Sequence, residues 1–172
     1  FLVPKEGAVA DDDQKSLLRR EMEAMVRLHA HSYVVQAKDF GWFEDQMPYL
    51  VMDFMPGGSL KDRLSAGPLT PALQRRVLEE LCDALDFIHE QGIVHLDLKP
   101  SNIFLDRGLH TRIGDFGIAQ ALEQAYPDVV TAGTPGYMAP EQRDKRLPVD
   151  HRADIYALGI VTWQALTGTL PE

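Results

Sequence analysis

A two-lobe α+β domain is the fold class this sequence predicts, and three observations predict it. A charged amphipathic helix pattern comes first and is followed by two short apolar stretches. A connector marked by proline and glycine follows, and the rest of the chain reads mostly as helices.

Each element has its own signal. Residues 12–28 carry Leu17, Leu18, Met22, Met25 and Leu28 at helical spacing on an otherwise charged background. Residues 34–37 and 49–52 read as an antiparallel strand pair across the polar segment Glu44-Asp45-Gln46. Met55-Pro56-Gly57-Gly58-Ser59 reads as an extended connector and is the candidate boundary, dividing residues 1–54 from residues 55–172. Thr70-Pro71 is a helix start, with threonine at the N-cap and proline at the first helical position. Leu73, Val77, Leu78, Leu81, Ala84, Leu85 and Ile88 form one apolar face, and Gly92 ends that helix. Residues 93–116 alternate apolar stretches and turn residues as hairpins do, and residues 119–139 read as a long loop. Residues 153–166 are apolar nearly all round, which predicts a buried helix.

The composition excludes several functions. The chain has 172 residues, 45% of them hydrophobic and 25% charged, as expected of one globular domain. A formal net charge of −9 argues against a nucleic-acid partner, which calls for a basic stripe. Cys82 is the only cysteine, so neither a disulfide framework nor a cysteine zinc site is expected. Six scattered histidines supply no set at metal-ligand spacing. No apolar run approaches the ~20 residues of a membrane span, so no direct membrane contact is expected and a cytoplasmic location is the default. The chain opens on Phe1 rather than methionine and closes just after a helical pattern, so both ends read as cut.

The chemistry is concentrated in His95-Leu96-Asp97-Leu98-Lys99-Pro100-Ser101-Asn102 and, thirteen residues on, Asp115-Phe116-Gly117. This puts an aspartate, a lysine and an asparagine on one loop and a second aspartate before a flexible glycine. Phosphoryl transfer needs such groups: carboxylate and amide oxygens to hold Mg²⁺, an ammonium to offset phosphate charge, and a carboxylate to position the attacking hydroxyl. The two segments resemble the catalytic loop and the metal-binding aspartate motif of protein kinases. Ala139-Pro140-Glu141 is similar to the motif closing the activation segment. Asp154-Ile155-Tyr156-Ala157-Leu158-Gly159 is similar to the start of the helix that anchors the catalytic loop. The motifs stand in family order over essentially the whole chain, in a form close to bacterial serine/threonine kinases.

The resemblance implies a partial two-lobe protein-kinase-like fold: a helix and the last strands of the small lobe, then the first half of the helical large lobe. It implies ATP and Mg²⁺ as cofactors and a protein serine or threonine as substrate. Asp97 would orient the acceptor hydroxyl, Lys99 would steady the γ-phosphate, and Asn102 and Asp115 would bind Mg²⁺. Thr134, in Gly133-Thr134-Pro135-Gly136-Tyr137, would shape the substrate site. Glu21 would pair with the lysine that orients ATP. Met52 would line the back of the ATP pocket, Asp53 and Met55 would offer backbone groups to adenine, and Leu60 and Phe104 would sandwich the ring. Domains of this type often lie on the cytoplasmic side of a membrane-anchored sensor.

The sequence departs from the family pattern in two ways. It lacks the glycine-rich loop and the ATP-orienting lysine, which belong just upstream of Phe1-Leu2-Val3-Pro4. Lys5 is the alternative, although Pro4 before it is awkward in a central strand. Leu96 stands where many kinases carry an arginine that neutralises an activation-loop phosphate, so activity is expected not to depend on a phosphate there. A pseudokinase scaffold is the alternative function, and a small-molecule kinase is a third; the intact segment 133–141 argues against the third.

Overall fold

A computed structural model describes residues 12–27, 31–43, 47–115, 133–144 and 146–171. Helix α1 spans Asp12–Arg27, close to expectation. Leu18 and Met22, one turn apart, are buried, and Val26 extends the stripe against the core. The helix lies on strand β1 (Ala37–Phe43), where Arg19 stands 5.9 Å from the Phe40 ring and Lys15 stands 5.9 Å from Trp42.

β1 pairs antiparallel with β2 (Met47–Met52), with Phe40 opposite Leu50 and Trp42 opposite Pro48. This corrects the expected first strand. Residues 34–36 do not belong to the pair; only Ala37 does, opposite Met52. Val34 instead forms a parallel bridge with Ile113. The Val35 N–H donates to the Ile113 carbonyl at 2.8 Å, and the Ile113 N–H to the Tyr33 carbonyl at 2.9 Å.

The connector after β2 is extended and is fastened to the later hairpin. The Gly57 N–H donates to the Leu105 carbonyl and the Leu105 N–H to the Gly58 carbonyl, both at 2.9 Å. Gly57 is needed for this approach, since a Cβ there would come within 2.7 Å of the Leu105 carbonyl oxygen. Ser59 then caps the short helix α2 (Leu60–Leu64) in a capping box, its Oγ accepting from the Asp62 N–H and the Asp62 carboxylate accepting from the Ser59 N–H.

Helix α3 spans Pro71–Glu90 with Thr70 at its N-cap, as the sequence predicts, although the threonine side chain makes no capping bond. It ends in a Schellman motif: Gly92 takes φ +74°, and the Ile93 N–H reaches the Ile88 carbonyl at 3.0 Å. A 3₁₀ turn (Pro100–Asn102) leads into the hairpin of β3 (Ile103–Leu105) and β4 (Thr111–Ile113). Helix α4 spans Pro140–Arg143 and α5 spans Arg152–Thr167.

α5 buries Ala153, Asp154, Ala157, Leu158, Val161 and Ala165 against the core. The expectation of burial on all sides is corrected: Ile155, Trp163 and Leu166 are about half exposed. The core is continuous from Leu18 and Met22 through Leu81, Leu85 and Ile88 to Leu158 and Val161. Among the described residues no helix is long and apolar enough to cross a membrane.

Candidate active site

The catalytic-loop geometry starts from a buried carboxylate. Asp154, in the first turn of α5, is 0% exposed and accepts the His95 N–H and the Leu96 N–H, each at 2.8 Å. His89, near the end of α3, adds a third contact through Nε2 at 2.7 Å. Two helices thereby fix the loop backbone. This matters at Leu96, whose φ of 63° is a left-handed conformation disfavoured for a branched side chain. The Leu96 carbonyl is held as well, accepting from Gln142 Nε2 at 2.8 Å, while Gln142 Oε1 accepts from the Ala139 N–H.

His95 is also fully buried, and its bonds define its tautomer. Nδ1 lies 3.3 Å from the donating Asp97 N–H, so Nε2 carries the proton and donates to the Gly114 carbonyl at 3.1 Å. The histidine therefore ties the backbone beside Asp97 to the backbone beside Asp115.

Asp97, Lys99 and Thr134 close into a ring of short hydrogen bonds. Lys99 Nζ donates to Asp97 Oδ2 at 2.6 Å and to Thr134 Oγ1 at 2.7 Å. Thr134 Oγ1 in turn donates to Asp97 Oδ1 at 2.7 Å. Asn102 Nδ2 donates to the Asp97 carbonyl at 3.0 Å and to Oδ2 at 3.1 Å. Because the amide nitrogen is committed in this way, the Asn102 oxygen is turned the other way, within 3.3 Å of Ser101 Oγ. The sequence-predicted residues Asp97, Lys99, Asn102 and Thr134 therefore form one cluster, with charge-assisted contacts to the Asp97 carboxylate and the Lys99 ammonium.

Asp115 follows the Gly114 carbonyl and amide that tie it to His95 and Asn102. It takes φ 59°, and burial pushes its carboxyl above the usual carboxylate range. A desolvated carboxylate on Asp115 and the Asn102 amide oxygen, which takes only a long 3.3 Å bond from Ser101 Oγ, are hard oxygen donors of the kind that suit Mg²⁺. Among the described residues no group of three or more His, Cys, Asp or Glu forms a closed cage.

A cleft of about 540 Å³ opens beside this cluster, lined by Met52, Asp53, Met55, Ser101 and Phe104 among others. Phe104 presents its ring to Gly114, where a Cβ would come within 2.8 Å of it. The Asp53 N–H is used internally, donating to the Gln36 carbonyl at 3.1 Å. The expectation for Leu60 is corrected. As the first residue of α2 its side chain is 1% exposed and packs in the core, so it cannot lie against a bound ring. Glu21 lies within α1, but its side chain is outside the described residues, as are Phe116, Gly117, Lys5 and Thr131.

Sequence reasoning missed His89 and Gln142, the two side chains that help fix the loop. His89 sits one turn before a helix-ending glycine, and Gln142 directly follows the Ala139-Pro140-Glu141 motif. Neither has a local signal, because each partner is distant in the chain: the Asp154 carboxylate for His89 and the Leu96 carbonyl for Gln142. It also missed Glu80, a charge set in the apolar stripe of α3. Glu80 is buried, and its carboxylate accepts from the Thr111 N–H at 2.7 Å and Thr111 Oγ1 at 2.6 Å. It thereby fixes β4 three residues ahead of Gly114.

The protein kinase domain model matches residues 3–172. The serine/threonine-protein kinase Pkn1 of Myxococcus xanthus is 42% identical over 153 residues, covering 85% of this chain and 22% of that protein. Serine/threonine-protein kinase PknB of Mycobacterium tuberculosis is 37% identical over 161 residues, covering 89% of this chain and 25% of that protein. The structure of Rad53 1-466 in complex with AMP-PNP superposes with a TM-score of 0.73 at 31% identity, covering 91% of this chain and 39% of that one. The chain thus spans about a fifth to two fifths of the length of the proteins it matches. With the family model matched almost end to end and the Asp97 cluster assembled at hydrogen-bonding distance, this chain belongs to the protein kinase family.

Proposed function

We propose that the protein transfers the γ-phosphate of ATP to serine or threonine hydroxyls of protein substrates. The observation that carries this reading is the Asp97–Lys99–Thr134 ring, which lies between the cleft lined by Met52 and Phe104 and a second groove lined by Lys99 and Thr134. In this reading the small lobe ends at residue 54 and the large lobe begins at residue 55, with the ATP cleft between them. Met55 and Asp53 offer backbone groups to adenine, Met52 backs the pocket and Phe104 lies against the ring. Glu21 is the partner of the ATP-orienting lysine.

Asp97 Oδ1 receives the proton-bearing side of the acceptor hydroxyl and orients its lone pair for attack. Lys99, held between Asp97 and Thr134, places its ammonium where charge develops on the transferred group. Asn102 and Asp115 hold Mg²⁺, which supplies charge neutralisation at the phosphates when bound. The kinase names of the relatives and the nucleotide analogue in the Rad53 complex support the reading. Retention of all four polar groups argues against the pseudokinase alternative. A cytoplasmic site of action follows from the need for ATP.

The test uses the full-length protein with MgATP and a degenerate serine/threonine peptide mixture, beside Asp97→Asn and Asp115→Asn. Phosphate incorporation should fall by roughly 10²-fold or more in both variants, the scale of a lost acid–base or positioning group. Equal incorporation by all three proteins overturns the proposal.

A further inference from the structure

Next to the Asp97 cluster lies a second open groove, of about 490 Å³, between α2, the catalytic loop and the end of α5. Its walls include Lys61 and Ser65 from α2 and the residue after it, Lys99 and Ser101 from the catalytic loop, and Thr134 and Tyr137. Lys99 and Thr134 belong to both the groove and the ring around Asp97, so a chain lying in the groove passes the acceptor-orienting carboxylate. One side is stiffened by the Tyr137 hydroxyl, which donates to Gln164 Oε1 at 2.7 Å.

The charge of this groove opposes that of the chain. The whole sequence carries −9, yet the described residues lining the groove include two lysines and no aspartate or glutamate. Lys99 is already committed to Asp97 and Thr134. Lys61 is exposed and has no carboxylate within ion-pairing distance among the described residues. The nearest candidate in sequence, Asp62, is held by the α2 cap: its Oδ2 accepts from the Ser59 N–H at 2.9 Å and from Ser59 Oγ at 2.6 Å. Asp62 also lines the neighbouring cleft instead of this groove. The cap thus engages the Asp62 carboxylate at Ser59 beside the neighbouring cleft, so that Lys61, although its charge still acts on Asp62, makes no short ion pair with it and lines the groove.

We propose that this groove takes the segment of substrate flanking the acceptor hydroxyl and selects acidic side chains there, with Lys61 as the specificity-determining residue. The inference rests on the phosphotransfer reading above and names the substrate class of that site. The physical warrant is charge complementarity at a groove wall. It discriminates between partners more than it adds affinity, and it weakens as salt screens it.

The full-length protein is assayed with MgATP and three peptides identical except for acidic, neutral or basic residues flanking the acceptor. At low salt kcat/KM for the acidic peptide should exceed that for the neutral one by about threefold, the scale of one exposed ion pair, with the basic peptide lowest. Lys61→Gln should flatten the ranking. Lys61→Glu should reverse it, changing the acidic-to-basic ratio by about tenfold, with the KM for ATP unchanged. A flat ranking in the unaltered protein, or a ranking that Lys61→Glu leaves in place, overturns the inference. Fluorescence anisotropy of the same peptides with AMP-PNP present reads the groove without turnover. Tightest binding by the acidic peptide without phosphate transfer would support the groove assignment and refute the phosphotransfer reading.

Discussion

Replacing Asp154 by alanine tests whether one buried carboxylate sets the catalytic-loop conformation. The substitution removes the acceptor for the His95 N–H, the Leu96 N–H and His89 Nε2. His95 is fully buried, so its N–H has no water to turn to, and an unsatisfied buried donor costs about 1–3 kcal/mol. The Leu96 N–H is half-buried and recovers part of its loss from solvent, and the His89 contact adds about 1 kcal/mol. The sum is about 3–5 kcal/mol, in line with the cost of breaking other buried polar networks. At about 2–4 °C per kcal/mol for a domain of this size, the melting temperature should fall by roughly 6–20 °C. Asp154→Asn keeps one acceptor oxygen and should lose about half as much. Circular dichroism melts of the full-length protein give both falls, and amide hydrogen exchange at His95 and Leu96 shows whether the two donors have lost their acceptor. A fall of less than about 3 °C, with both amides as protected as before, would refute this account.

Thr134→Ala takes one donor from Asp97 and one acceptor from Lys99, so kcat should fall about 10- to 100-fold while Thr134→Ser stays within a few-fold. Steady-state kinetics on one peptide check this, and an alanine variant within twofold of the parent would sink it. Asp115, with its carboxyl raised by burial, holds its proton to higher pH in the folded state than in the unfolded one. Folding stability therefore declines as pH rises from the unfolded carboxylate value through the folded one. Asp115→Asn should remove that decline and raise the melting temperature at neutral pH without Mg²⁺, as melts across pH would show. Thr131→Ala should keep most of the activity, because Leu96 offers no cation to a phosphate on the activation segment. Loss of activity in that variant, restored by Thr131→Glu, would contradict this.

The catalytic-loop part of the cluster is legible in the sequence because its own bonds are local, whereas the Thr134 bonds reach across 35 and 37 residues. Asp97, Lys99 and Asn102 lie within six residues, and three of their hydrogen bonds join residues two or five apart. The strand pair was misplaced for the opposite reason. Val34 and Val35 have the β-branched, apolar character of a strand, but their partner is Ile113, far along the chain. The real strand contains Lys38, Asp39 and Gly41, which interrupt any apolar pattern, and has a bulge between Ala37 and Asp39. Leu60 was misassigned because apolar character fits a ring contact and a core position equally well. Only the cap at Ser59, which sets the direction of α2, decides between them. In α5 apolar character does not mean burial, because among the described residues only one face of that helix is covered.

The bonds between Tyr33, Val35 and Ile113 have a consequence for how the cleft lined by Met52 and Phe104 can open. The segment ahead of β1 is fastened to β4 there, and the connector after β2 is fastened to β3 at Gly57 and Gly58. A body joined to another at one point can swivel in any direction. Joined at two separated points, it turns about the line between them, like a door on a pair of pins. Gly114 and Asp115 follow directly on one of those pins, so rotation of α1 and the β1–β2 pair would sweep the far wall of the cleft widely and hardly displace the second aspartate.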